Sequence, residues 1–165
     1  MEKIRALIRP YMLRRRKTDP GVAPDLPEKV EKKVDCGLTG TQSHLYAQVL
    51  YSARARVAAA KGLKRGDEVL AIIRQLKEIC DHPALHVPKY DFDAGLSAKF
   101  LRLQQICGDI AANHERVLVF TQFARLLPPL AAVLQGVFGR PGLVFDGEKM
   151  VRERARIVSE FQDEH

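Results

Sequence analysis

Between the charged triplet His114-Glu115-Arg116 and the polar pair Thr121-Gln122 lies the run Val117-Leu118-Val119-Phe120. Four consecutive apolar residues, two of them valine, fit a strand covered on both faces, as in a parallel sheet. The polar flanks argue against a piece of buried helix. A second run, Leu143-Val144-Phe145, follows about one helix later and closes on Asp146-Gly147. Strand, crossover and strand make a βαβ unit, and α/β folds place ligands at the carboxyl ends of such strands. Thr121, Gln122, Asp146 and Gly147 are therefore the first candidates for function.

The 165 residues are enough for one ordinary domain. A content of 46% hydrophobic and 28% charged residues is that of a soluble globular protein. No apolar run approaches the roughly 20 residues of a membrane span. Met1 to Pro10 lacks the continuous apolar core of a secretory signal. A cytoplasmic location follows as the expectation, nucleoid-associated if the source is bacterial. Cys36, Cys80 and Cys107 are widely spaced and odd in number, which is neither a disulfide framework nor a zinc spacing. Cys80-Asp81-His82 has no second ligand pair, so buried or incidental thiols are expected and no metal. The net charge of +7 favours a polyanionic partner, with Arg14-Arg15-Arg16-Lys17 as the densest run. That run reads equally as a helix end with cations on its dipole or as a phosphate-contacting patch.

Taken in order, Ile4 to Lys17 reads as a short helix broken by Pro10. Thr18 to Glu28, with three prolines and a glycine, reads as a linker. Lys29 to Leu38 alternates like a half-exposed strand. Thr39-Gly40-Thr41-Gln42 is a capping box, predicting a helix to about Ala60. Gly62 and Gly66 mark a loop. Glu68 to Cys80 carries Val69, Ile72, Ile73, Leu76 and Cys80 on one helical face. Pro83 ends that helix. Ala84 to Gly95 is an irregular connector. Ser97 opens a helix whose inward residues are Phe100, Leu103, Ile106 or Cys107, and Ile110. Ala124 to Val137 is helical, starting or kinking at Pro128-Pro129. A last helix runs from about Lys149 to Phe161.

Several chemistries are missing. No Gly-x-x-x-x-Gly-Lys-Ser/Thr loop is present to cradle phosphate, and no Ser/His/Asp arrangement is evident. Gly66-Asp67-Glu68-Val69 precedes a helix with no buried strand before it and makes a poor magnesium site. Two parallel strands cannot bury the faces of a sheet, so the chain reads as a fragment.

The order of motifs resembles the middle of the SWI/SNF-type (SNF2-related) helicase-like ATPases. The matching stretches are Ile8-Arg9-Pro10-Tyr11-Met12-Leu13-Arg14-Arg15, Leu26-Pro27-Glu28-Lys29-Val30-Glu31, Leu38-Thr39-x-x-Gln42-x-x-Leu45-Tyr46 and Leu76-Lys77-Glu78-Ile79-Cys80-Asp81-His82-Pro83. Ser97-Ala98-Lys99-Phe100, Arg116 to Gln122, Asp146-Gly147, Arg154 and Phe161 continue the series. Asp81 stands where the family usually has Asn, and Ala98 where it has Gly, which puts a positive-φ backbone there in doubt.

The resemblance implies an α/β, mostly helical chain. A helical inter-lobe segment would be followed by an incomplete RecA-like βαβα lobe of the P-loop NTPase type. Residues 1–38 would be the end of the first helicase lobe, 39–95 the inter-lobe helices and connector, and 96–165 the start of the second lobe. It also implies a fragment of a DNA-dependent ATPase and translocase, with double-stranded DNA and the missing helicase lobes as partners. ATP and magnesium would belong to the intact parent, because the ATP-site motifs lie outside this chain. No catalytic residue can be carried over. Thr121 and Gln122 would lie along the DNA backbone, where a hydroxyl and an amide suit phosphate oxygens. Arg14 and Arg15 match the family's paired arginines, with structural support and DNA contact as equal alternatives. Lys99 matches the linker lysine. The rival readings are a non-enzymatic basic module binding DNA or protein, and an inactive remnant that folds poorly.

Overall fold

The computed structural model describes residues 4, 7–13, 15–17, 19, 21, 22, 24–147 and 150–163. Arg14 lies outside them. The described residues fall into two units, Met1–Val34 and Asp35–His165.

In the first unit Ile4, Leu7 and Ile8 are helical and pass into a tight turn over Arg9–Tyr11, after which Met12 is extended. The expected continuation to Lys17 is absent. Pro10 has no N–H to give the next turn, and its ring disfavours helix in the residue before it. Tyr11 in the turn and Leu13 beyond it are exposed, and the Arg16 amide donates to the Asp19 carboxylate at 2.9 Å. The alternating stretch from Lys29, a strand candidate by sequence, has no ladder partner among the described residues, and Val30 is 79% exposed.

In the second unit, α1 (Gly40–Ala59) and α2 (Leu63–Asp81) form a hairpin. The capping box starts α1 as the sequence predicts. Thr39 Oγ1 accepts from the Gln42 amide at 3.2 Å, and Gln42 Oε1 accepts from the Thr39 amide at 3.1 Å. Leu45, Val49 and Ala53 recur every four residues on the buried face and meet Ile72 and Ile79 of α2. The second helix starts five residues before Glu68, the start that periodicity predicts, and takes Gly66 into its first turn. The reversal rests on Gly62 alone, at φ +57° and ψ −135°, a conformation that only glycine adopts without strain.

A short turn of helix, α3 (Pro83–His86), follows at once, and then a connector ending in a tight turn over Ala94–Leu96. Ser97 caps α4 (Ala98–Ala112), whose Phe100 and Cys107 are buried. After an extended stretch, a tight turn over Ala124–Leu126 leads into α5 (Leu127–Phe138). Pro128 and Pro129 sit in the first turn of α5, where the missing N–H groups need no partner. Gly139, left-handed at φ +70°, closes that helix through its amide to the Gln135 carbonyl at 2.9 Å. Leu85, Phe100, Leu126 and Leu130 form a second core. The last helix is α6 (Val151–Asp163).

No β-ladder is present among the described residues, so the chain is mostly helical as expected but the buried βαβ strands are not. Residues 115–121 are extended, with Val117 and Val119 half-buried and Leu118 and Phe120 exposed at 64% and 87%. Leu143 and Phe145 are exposed likewise. Side chains of extended backbone alternate in direction. One side of this stretch is half-buried, and among the described residues no neighbouring strand takes up its backbone groups or its other side. Its start is anchored instead by Arg116, whose guanidinium donates to the carbonyls of Phe161 at 2.7 Å and Gln162 at 3.2 Å, at the end of α6.

Candidate nucleic-acid interface

Three element ends meet at a polar knot under the candidate surface. Gln42 is fully buried. Its Nε2 donates to the carbonyls of Ile79 at 2.8 Å and Cys80 at 3.1 Å, at the end of α2. Its Oε1 accepts from the amides of Thr39 and Ala98, at the starts of α1 and α4. One amide side chain thus fills four hydrogen bonds and joins three helices. Thr39 Oγ1 donates to the Leu96 carbonyl at 2.9 Å, and Ser97 Oγ to the Asp81 carbonyl at 2.6 Å. Ala98 takes ordinary helical backbone, so the family glycine's positive φ is not required here.

His82 is buried in the same region. Its Nδ1 accepts from the Ala84 amide at 3.2 Å, which leaves Nε2 to donate to the Asp93 carbonyl at 2.9 Å. The ring packs against Phe92 and Phe100 at 5.1 Å. These contacts make His82 a neutral structural residue that stops α2 and starts α3.

Above the knot lie two adjoining clefts of about 410 and 460 Å³. Asp81, Lys99 and Gln122 line both. Tyr46, Ile73, Leu76, Lys77 and Cys80 complete the first, and Phe100, Val119, Phe120 and Thr121 are part of the second. The structure therefore brings Lys99, Thr121 and Gln122 to one place. Lys99 Nζ donates to Asp81 Oδ1 at 2.5 Å, with the lysine side chain half-exposed. Thr121 Oγ1 accepts from the Phe123 amide at 3.2 Å, which fixes the hydroxyl while leaving its proton to donate. The Gln122 side chain is exposed in the cleft and has no partner among the described residues. Burial pushes the Cys80 thiol up, Lys99 pulls it down and Asp81 pushes it up further, so Cys80 is no ready thiolate.

Arg15 belongs to the N-terminal unit and is exposed, and its paired residue Arg14 is outside the described residues. Asp146 and Gly147 sit at the start of the turn before α6, where Gly147 gives its carbonyl to Arg154 at 2.8 Å. Sequence reading missed two things. Gln42 is more than a cap, and neither the capping box nor the family stretch Leu38 to Tyr46 that marked it in the sequence shows its reach to α2 and α4. Asp81 is the ion partner of Lys99, a pairing across 18 residues that no local pattern marks.

A family profile described as the SNF2-related domain matches residues 1–85, just over half of the chain. The chain belongs to the SNF2-related family. YwqA of Bacillus subtilis, a protein named for ATP-dependent helicase/translocase activity, is 35% identical over 97% of the chain. The chromatin structure-remodeling complex subunit snf21 of Schizosaccharomyces pombe is 30% identical over 99%. The SNF2-related chain spans only 18% and 14% of those two proteins. Among solved structures, the Sulfolobus solfataricus SWI2/SNF2 ATPase core in complex with dsDNA superposes with a TM-score of 0.79 at 29% identity. That match covers 99% of this chain and 35% of the other. The Sulfolobus solfataricus SWI2/SNF2 ATPase core domain superposes likewise, with a TM-score of 0.78. The SNF2-related fold is thus shared along nearly the whole chain, including the extended stretches that here have no ladder.

Proposed function

We propose that this chain is the segment of an SNF2-type DNA-dependent ATPase that joins its two RecA-like lobes and lays down part of the duplex track. Residues 1–38 would close the first lobe, 39–95 form the inter-lobe helices, and 96–165 open the second lobe, where residues 116–121 and 143–146 become strands once neighbouring strands pair with them. The carrying observation is the clustering of Lys99, Thr121 and Gln122 on one cleft, in a fold like that of the Sulfolobus solfataricus SWI2/SNF2 ATPase core solved in complex with dsDNA. A cation, a hydroxyl and an amide recognise phosphate and sugar and carry no base information. Arg15, with Arg14, adds cationic charge to the same role.

Within the cleft, Lys99 is held by Asp81 until a phosphate competes for it. The Thr121 hydroxyl and the Gln122 amide then donate to the phosphate oxygens. The ATP and magnesium that the family implies do not fit these residues. The sequence has no phosphate-cradling loop, and among the described residues no group of three or more His, Cys, Asp or Glu is placed to hold a metal. No catalytic step is therefore assigned to this chain, and the hydrolysis and translocation belong to the intact parent.

Fluorescence anisotropy of a labelled duplex, titrated with the purified chain at several salt concentrations, tests the reading. Binding should weaken with salt at about 0.9 log units per log unit for each phosphate contacted. The paired Thr121→Ala/Gln122→Ala variant should lose affinity equally on unrelated sequences. Wild-type chain that ignores duplex DNA at low salt would sink it.

A further inference from the structure

The turn between α1 and α2 carries a charge pattern that the helices themselves do not explain. Lys61, Lys64 and Arg65 are exposed there, Arg54 is exposed within α1 before it, and none of the four has an ion-pair or hydrogen-bond partner for its side chain among the described residues. The acidic side is already spent. Glu68 is held by Arg56, at 2.7 and 3.1 Å, and Arg56 also reaches Gln75 at 3.3 Å. Asp67 is left as the one uncommitted carboxylate beside four cations.

Two of the cations stand against the local electrostatics. Lys64 and Arg65 occupy the first turn of α2, which has no acidic residue and no capping side chain. Cations there face the positive end of the helix dipole and destabilise it. Local stability therefore does not account for them, and an external polyanion does. Gly62 turns the chain with no heavy atom of the described residues within 4 Å of where a side chain would stand, and Lys61, Lys64 and Arg65 around it are exposed.

We propose that this hairpin tip, through Lys61, Lys64 and Arg65 with Arg54 beside them, is a second contact to the duplex phosphate backbone, apart from the Lys99–Thr121–Gln122 cleft. The inference rests on the preceding reading for duplex DNA as the ligand. The contact is to phosphate only, since the tip offers point charges and no amide or planar array aimed at base edges beyond Arg65 and Arg54. It lengthens the footprint of the chain on DNA without adding sequence preference.

The test compares three forms of the full chain by anisotropy with a duplex long enough for both contacts. These are wild type, the tip variant Lys61→Glu/Lys64→Glu/Arg65→Glu, and the cleft variant Thr121→Ala/Gln122→Ala. The tip variant should bind at least about tenfold more weakly near 100 mM salt, with a salt slope smaller by about 2 to 3. Its melting temperature should stay level or rise, because two unfavourable cations leave the helix start. A Gln version of the same three positions should fall between it and wild type. Wild-type affinity and slope in the tip variant, beside a weakened cleft variant, would overturn this proposal alone. So would loss of binding to polyglutamate with duplex binding intact, which would mark an acidic protein as the partner. A wild-type chain that binds no duplex would overturn both readings together.

Discussion

At the scale of single residues, Gln42 carries more of the architecture than any apolar side chain. Gln42 is fully buried and makes four hydrogen bonds, so Gln42→Ala leaves two carbonyls and two amides without partners. Each unmet buried group costs about 1–3 kcal/mol, so a loss of at least about 3 kcal/mol is expected in urea denaturation. Asp81 has a different kind of effect. It is a restraint on Lys99 and a negative charge in the proposed phosphate cleft. Asp81→Asn should therefore strengthen duplex binding a few-fold while changing the melting temperature little, since the lysine end of the pair is half-exposed and the amide keeps an oxygen for it. Weaker binding by that variant would show that Asp81 positions Lys99 for DNA. Cys107 gives a pH signature. Burial pushes its thiol above the ordinary value of 9.0. The folded state therefore keeps the proton while the unfolded chain releases it. Stability should be full below about pH 9 and should fall as pH rises toward the folded value. Denaturation at pH 8 and pH 10 checks this, and Cys107→Ala should flatten the difference.

At the scale of elements, helix ends decide where the secondary structure stands. The capping box at Thr39 and the Ser97 cap were legible because a hydroxyl three residues ahead of an amide is a local pattern. The start of α2 was not legible, because Gly62 and Gly66 look alike in sequence and only the hairpin's closure selects Gly62 as the reversal. The prolines of α5 were resolvable only as a pair of alternatives, and the structure takes the first-turn one. Gly139 follows from its left-handed backbone. Gly139→Ala should destabilise by about 1 kcal/mol, read as a lower melting temperature. The short helix α3 was missed, since four residues after a proline leave no period to detect.

At the scale of the whole molecule, the proposed joint and track would be useful only between moving parts. The 165-residue chain is expected to bind duplex DNA in a salt-dependent way and to release no phosphate from ATP, with or without DNA. Stimulated phosphate release, after contaminating ATPases are excluded, would show that a nucleotide site had been overlooked. The exposed faces of residues 116–120 and 143–145 fit the same picture. Leu118, Phe120 and Phe145 have no covering layer among the described residues.

The sequence alone determined the helices with strong periodicity and local caps, the balance of charge, and the family order of motifs from Ile8 to Phe161. Those are local or serial properties, and a chain carries them before it folds. Tertiary structure alone decided that Gln42 joins three helix ends, that Asp81 holds Lys99, and that Lys99, Thr121 and Gln122 share a cleft. Each of those depends on residues 18 to 56 positions apart meeting in space. The run at Val117 to Phe120 falls between the two. Its extended backbone was legible from its composition, but a buried strand needs a neighbour to take its hydrogen bonds and its second face.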